Sequence, residues 1–326
     1  MSDPYSFILR RTGGPEVLEA EHGDPPRPGP GEVLVRHEAV GLNFIDTYHR
    51  SGLYALPLPS GLGSEAAGVV EAVGENAAGY REGDRVGYFT GPLGAYATHR
   101  AIGADRLVRL PDSLSAEDAA AIMLKGCTAE YLIERCAKVV AGEAVLVLAA
   151  AGGVGSILVP WLKHLGATVI AHAGDSRKAE QAKALGADHA LCGPFDGLAG
   201  EVRGLTGGKG VPVVLDGVGA ASWSASLGAV ARRGLVVSYG NASGPVPPFS
   251  ALDLLTAGSI FVTRPTLGDY AADSAEMQRS AARLFELVDK GVVPVRIGAR
   301  LPLLEAAEAH RALEARATTG STVLIP

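Results

Sequence analysis

Residues 144–162, AVLVLAAAGGVGSILVPWL, run for 19 positions without a charge. That length meets the criterion for a membrane-spanning helix. Gly152, Gly153 and Gly155 at its centre and Pro160 near its end argue instead for a buried strand, a glycine turn and a buried helix. A second apolar stretch starts at Thr168, 13 residues after Gly155. This strand–turn–helix–strand pattern matches the dinucleotide fingerprint. There, glycine allows a tight turn, close approach of backbone to a pyrophosphate, and close packing of helix on strand. Gly152 and Gly155 hold the second and third positions and Ala150 the first. Amides at the helix start would face the pyrophosphate. Pro160, if interior to that helix, should kink it at a cost of about 3 kcal/mol.

The end of the second strand separates the two dinucleotides. An NAD site places Asp or Glu roughly 20 residues beyond the motif, to accept from the ribose 2′-hydroxyl. Reading back from Gly186-Ala187, Ala173 takes that place, followed by Gly174, Asp175, Ser176, Arg177 and Lys178. The lack of an acid there, with two cations just beyond, favours a 2′-phosphate and hence NADP(H). Asp175 works against this, because a small loop shift would bring its charge to the ribose.

Around this motif the pattern alternates. Short buried strands are expected at 144–148, 168–171, 213–215 and 235–238, with a helix near 179–185, which implies a parallel sheet covered by helices on both faces. The first 120 or so residues read as all-β, with strands at 32–40 and 67–73 bounded by glycine and proline turns. The tail reads as an amphipathic helix over 274–290, a strand, a second helix and a strand at 322–325. A β domain of residues 1–122 and 265–326, interrupted by an α/β domain of residues 123–264, is the simplest organisation.

The net charge of −6 over 326 residues counts against nucleic acid or an anionic membrane, since both select a basic footprint. The start, MSDP, has neither a basic stretch nor an apolar core and is not expected to be a signal peptide. Three cysteines, Cys127, Cys136 and Cys192, form no disulfide framework, so a soluble, cytoplasmic protein is expected. Catalytic zinc needs three Cys, His or carboxylate ligands. The first β domain has no cysteine, and His37, His49 and His99 are isolated, so no metal is expected. A substrate that is already electrophilic, such as a quinone or enone, needs none.

Several blocks resemble one family closely: Gly41-Leu42-Asn43-Phe44-Ile45-Asp46-Thr47-Tyr48, Ser51-Gly52-Leu53-Tyr54, Gly63-Ser64-Glu65-Ala66-Ala67-Gly68, Leu124-Lys125-Gly126-Cys127-Thr128, Ser238-Tyr239-Gly240-Asn241-Ala242-Ser243, Val262-Thr263-Arg264-Pro265 and Arg316-Ala317-Thr318-Thr319-Gly320. They are similar to the zinc-free NADPH:quinone oxidoreductases, the zeta-crystallin-like branch of the medium-chain dehydrogenase/reductases. The resemblance implies a Rossmann-type doubly wound sheet inserted in a mainly β, GroES-like catalytic domain. Zinc-dependent relatives carry a cysteine near Asn43 and a histidine near Ser64, and both ligands are absent. The resemblance places Asn43, Phe44 and Tyr48 near the nicotinamide, Tyr54 in the quinone pocket, and Thr128 on the cofactor. It places Gly152, Gly153 and Val154 on the pyrophosphate, and Gly174, Ser176, Arg177 and Lys178 around the adenosine ribose, with Arg316 assisting at the 2′-phosphate. Asn241, Ser243, Thr263 and Arg264 would close over the nicotinamide. At Gly193 a tyrosine that some relatives stack on the adenosine is missing.

The expected activity is metal-free hydride transfer from NADPH to a quinone held in the cleft between the domains. The growing hydroquinone anion needs donors, for which Asn43, Tyr48 and Tyr54 are the candidates. Asp46, if ionised, would repel that anion; orienting a neighbour or staying in solvent suits it better. The alternatives are an NADPH-dependent enone or alkenal reductase on the same scaffold, and a non-catalytic NADPH-binding or RNA-associated protein. Residues 259–264 read as an edge strand of the α/β sheet, and the resemblance implies a homodimer; pairing of that edge would cover it.

Overall fold

The computed structural model describes residues 3–326; Met1 and Ser2, on which part of the reading of the N-terminus rests, lie outside the described residues. The chain divides into two compact units. One comprises the chain up to Cys127 with Ala271–Asp289 and Val295–Pro326, and the other comprises Thr128–Tyr270 with Lys290–Pro294.

The first unit is built on a seven-stranded sheet centred on the strand Glu32–Gly41, which pairs antiparallel with Ala66–Val73, His99–Gly103 and Ser321–Ile325. Its inward side chains, among them Val33, Val35, Val40, Val70, Val86, Tyr88 and Leu324, form one core. A small sheet of Tyr5–Leu9, Ala20–His22 and Ser60–Gly61 lies in the same unit. This unit is not all-β over its first 120 residues. A helix, Phe44–Ser51, follows the central strand, and another, Ala116–Glu130, begins before the unit ends. Asn43 caps the first helix, the carboxylate of Asp46 accepts from the Asn43 amide at 2.9 Å, and Gly52 ends it in the left-handed region (φ 85°). Those cap residues decide the local structure over the β-favouring Ile45, Thr47 and Tyr48.

The second unit holds a six-stranded parallel sheet in the order His189–Cys192, Thr168–Ala173, Ala144–Leu148, Val211–Asp216, Val230–Ser238, Phe261–Thr263. Central strands buried on both faces read as unbroken apolar runs, which is why 144–148 is visible in the sequence to the residue. The uncharged stretch is therefore a strand, a turn and the helix Gly155–His164, and no helix among the described residues is long and apolar enough to cross a membrane. Pro160 lies inside that helix, which continues to His164. The helix Ala116–Glu130 passes directly into a π-helical turn, Tyr131–Cys136. Within the second unit, Tyr131 stacks on Tyr270 with ring centroids 4.5 Å apart.

Candidate active site

The glycine turn leaves the carboxyl end of the strand Ala144–Leu148, with Ala149 in the left-handed region (φ 51°) and the Ala150 amide donating to the His172 carbonyl of the next strand at 3.0 Å. A Cβ on Gly155 would lie 2.3 Å from the Ala149 carbonyl oxygen and 2.7 Å from the Ala150 Cα. Glycine at the third fingerprint position is thus a steric requirement of helix-on-strand packing. Gly152 is exposed, and a Cβ there would stand 3.1 Å from the same oxygen. The helix starts beside this open glycine, and its Ser156 and Ile157 amides already donate to the Gly152 and Val154 carbonyls at 2.8 and 3.0 Å, which leaves the amides just ahead of them, at the helix start, to face a ligand. That arrangement fits a pyrophosphate.

The adjacent strand, Thr168–Ala173, ends in exposed Gly174, with open space where a side chain would project. Asp175 then caps the helix Ser176–Ala184 by accepting from the Lys178 amide at 2.8 Å. Its carboxylate is anchored on the helix end. Ser176 and Arg177 are exposed beside it and Lys178 is half-buried. Gly193, after the strand His189–Cys192, adopts φ 108°, and no atom lies within 4 Å of where its side chain would start.

Further along the carboxyl edge of the sheet, Asn241 and Ser243 follow the strand Val230–Ser238, while Thr263 ends the strand Phe261–Thr263 just before Arg264. The Ser243 hydroxyl donates to the Val218 carbonyl at 2.9 Å and accepts from the Ala221 amide at 2.9 Å. As an expected side-chain contact to the nicotinamide it is corrected: its proton is committed to the neighbouring loop. Thr128 lies in the helix Ala116–Glu130, and Arg316 belongs to the other unit, just past the helix Ala306–Glu314, at φ 56°.

In the first unit, Phe44, Tyr48 and Tyr54 form an aromatic run, with centroids 6.1 Å apart for Phe44–Tyr48 and 5.2 Å for Tyr48–Tyr54. Asn43 is buried, and its side-chain nitrogen donates to Glu65 Oε2 at 2.8 Å and to the Gly41 carbonyl at 3.3 Å. Both hydrogens of that amide are engaged within the protein. Asn43 is therefore not the donor to substrate expected from the sequence; it ties the signature helix to Glu65.

Glu65 also accepts from the Leu124 amide at 2.6 Å, and Lys125 Nζ lies 3.9 Å away. Burial raises the Glu65 carboxyl and lowers the Lys125 ammonium, each opposed by the other's charge. Asp46 is fully buried, contrary to the solvent position considered above. It accepts from Asn43 N and from the Tyr96 hydroxyl at 3.1 Å, both on Oδ2, and burial pushes its carboxyl up to about 7.

Behind it, Arg50 donates to His310 Nδ1 at 3.1 Å and pairs with Glu314 at 2.5 Å. Arginine can only donate, so neutral His310 carries its proton on Nε2 and directs it at the Tyr96 oxygen, 2.9 Å away. Burial, then the Arg50 charge, hold His310 down to about 3. Glu65, Tyr96, Arg50, His310 and Lys125 escape sequence reasoning as site neighbours. Only the capping pair Asn43 and Asp46 left a local signal.

The residues present do not fit catalytic zinc. Among the described residues no group of three or more His, Cys, Asp or Glu is placed to hold a metal. His37 engages the Ala97 carbonyl and Tyr88 hydroxyl, and His99 faces Glu71 at 3.2 Å.

Residues 29–140 match the family model described as alcohol dehydrogenase GroES-like domain, and residues 153–286 match that described as zinc-binding dehydrogenase. That domain pair, with its Rossmann-type sheet, defines the medium-chain dehydrogenase/reductase class. A quinone oxidoreductase of Pseudomonas aeruginosa is 50% identical over 96% of this chain and 97% of its own. A crystal structure of Escherichia coli quinone oxidoreductase complexed with NADPH is 43% identical, covers 99% of this chain and 100% of that one, and superposes with a TM-score of 0.95. A 2-haloacrylate reductase of a Burkholderia species is 42% identical over 98% of both chains. The chain belongs to the quinone oxidoreductase family of that superfamily.

Proposed function

We propose that the chain is an NADPH:quinone oxidoreductase working without a metal. The observation that carries the cofactor reading is the open glycine turn at Gly152–Val154 on one strand end beside Gly174, Arg177 and Lys178 on the next. Bound NADPH supplies the hydride that reduces the quinone. The helix start after Val154 would hold the pyrophosphate, and Arg177 and Lys178, with Arg316, would hold the 2′-phosphate. Asn241, Thr263, Arg264 and Thr128 would position the nicotinamide half. The Tyr48 and Tyr54 hydroxyls would donate to the oxygen that becomes anionic. The residues from Thr128 to Tyr270 form the cofactor domain in this reading.

Initial rates with 1,4-benzoquinone and a chelator, for NADPH and NADH in parallel, test it. Fast NADPH oxidation with little NADH activity is expected. In the Lys178→Ala protein the KM for NADPH should rise roughly tenfold or more, with the NADH rate little changed, as for loss of one charge-assisted phosphate contact. No turnover with either cofactor would overturn the quinone reading. A second reading, reduction of an activated double bond, is favoured by the 2-haloacrylate reductase relative. A faster rate with an acyclic enone than with quinone would select it.

The sheet edge supports a homodimer. Phe261, on the edge strand, is 64% exposed, and Leu252 and Leu255 nearby in sequence are 70% and 67% exposed. Apolar side chains on an unpaired edge are a liability unless covered. Sedimentation at micromolar concentration should give a dimer, and Phe261→Glu should give a monomer; a monomeric native chain would remove the proposal. The three scattered cysteines support a reducing, cytoplasmic setting.

A further inference from the structure

Asp216 ends the central strand Val211–Asp216 and is fully buried. Four donors converge on its carboxylate, the single Ser222 hydroxyl lying within reach of both oxygens. Oδ1 accepts from the Val218 amide at 2.8 Å, the Gly219 amide at 3.2 Å and the Ser222 hydroxyl at 2.9 Å. Oδ2 accepts from the hydroxyls of Ser222 and Ser226, each at 2.7 Å. The carboxylate therefore fixes the course of the chain as it leaves the sheet and binds it to the helix Trp223–Ala229.

The loop so fixed is a mould for the next one. The Val218 carbonyl accepts from the Ser243 amide at 2.8 Å as well as from its hydroxyl, and the Gly244 carbonyl accepts from the Ala220 amide at 3.0 Å. The two loops also touch backbone to backbone. A Cβ on Gly219 would lie 2.4 Å from the Gly244 carbonyl oxygen, and one on Gly240 would lie 2.3 Å from the Gly217 carbonyl oxygen. Contacts this close leave no slack, so a shift of the 217–219 segment is transmitted to 240–244. Asn241, set above against the nicotinamide half of the cofactor, is carried by that second loop together with Ser243.

We propose that Asp216 is a positioning residue for the nicotinamide half of NADPH, acting through Val218 on the loop of Asn241 and Ser243. This rests on the NADPH reading given above. Replacing the carboxylate by an amide puts a nitrogen, which cannot accept, among donors that all point inward. The 217–219 segment would then reorganise while the glycine turn and the Gly174–Lys178 segment, on other strand ends, keep their geometry.

The test separates the two halves of the cofactor. Dissociation constants for NADPH and for adenosine 2′,5′-bisphosphate, which lacks the nicotinamide half, are measured by fluorescence or calorimetry on the full chain. Asp216→Asn should weaken NADPH by at least about tenfold, as for a lost charge-assisted hydrogen bond, and leave the bisphosphate within about twofold. Ser243→Ala weakens the same link from the other side, removing its hydroxyl contacts while the Ser243 amide stays on Val218, so the losses in the double variant should be less than additive. If Asp216→Asn does not fold, Ser226→Ala, which keeps the carboxylate and removes one donor, should show the same selective loss on a smaller scale. Equal weakening of both ligands, or no change in either, overturns the proposal. A native chain that binds neither ligand overturns the NADPH reading, and this inference with it.

Discussion

Set against the native chain, the Asp46→Asn protein should show a stability difference that moves in its favour as pH rises. Burial raises the Asp46 carboxyl from the usual 3.8 to about 7; the Asn43 amide, the Tyr96 hydroxyl and Lys125 oppose the rise, and Glu65 adds to it. Between those values the folded chain holds a proton that the unfolded chain releases. The contribution is therefore fully present below about 3.8 and is lost as pH rises through about 7. The difference curve should span of order 4 kcal/mol between pH 4 and 8. His310 titrates in the opposite sense. As a base held down to about 3, it contributes stability above the usual 6.5 that is lost as pH falls toward 3. His310→Asn should gain on the native chain in acid. Denaturant unfolding at a series of pH values checks both slopes, and flat difference curves would show that neither group titrates between folded and unfolded states.

Gly155→Ala should be among the most damaging single-methyl additions in the chain. The new methyl would sit 2.3 Å from a carbonyl oxygen and 2.7 Å from a Cα, both backbone atoms that cannot rotate away. Overpacking of this type costs about 3 kcal/mol, a fall in Tm of roughly 6–12 °C. The shift would also move the glycine turn, so NADPH affinity should fall with stability. Gly204→Ala is the matched control. Gly204 lies within the helix Leu198–Leu205 with nothing within 4 Å of its Cβ position, so alanine there should stabilise by about 0.5–1 kcal/mol. A thermal scan of the three proteins decides the matter. An unchanged Tm for Gly155→Ala would mean that helix and strand part without cost.

What could be read in the sequence was local. The strand Ala144–Leu148, the turn after it and the helix beyond are coded by adjacent residues, and the steric role of Gly155 follows from one fingerprint position. An all-β reading misses the helix Phe44–Ser51, because its interior residues favour strands and its only local signal is the cap pair Asn43 and Asp46. The polar cluster behind it was not legible at all. Arg50 meets His310 across 260 positions and Tyr96 meets His310 across 214, and no local pattern marks such pairs. Asn43 and Ser243 show a second limit. Residue type and motif named them, but which way an amide or hydroxyl proton is committed depends on partners brought in by the fold.

Glu65 has a consequence for how such a chain can diverge. Residues 41–43, 63–65 and 124–125 meet at its carboxylate through Asn43, the Leu124 amide and Lys125. A substitution that removes Lys125 or Glu65 alone strands the other's charge in a dry interior, which costs about 3–5 kcal/mol, a large part of a typical domain's stability. Mutational paths that alter Glu65 and Lys125 one at a time therefore pass through a poorly folded intermediate. Exchange of that pair for another is open only to paths that change both residues together.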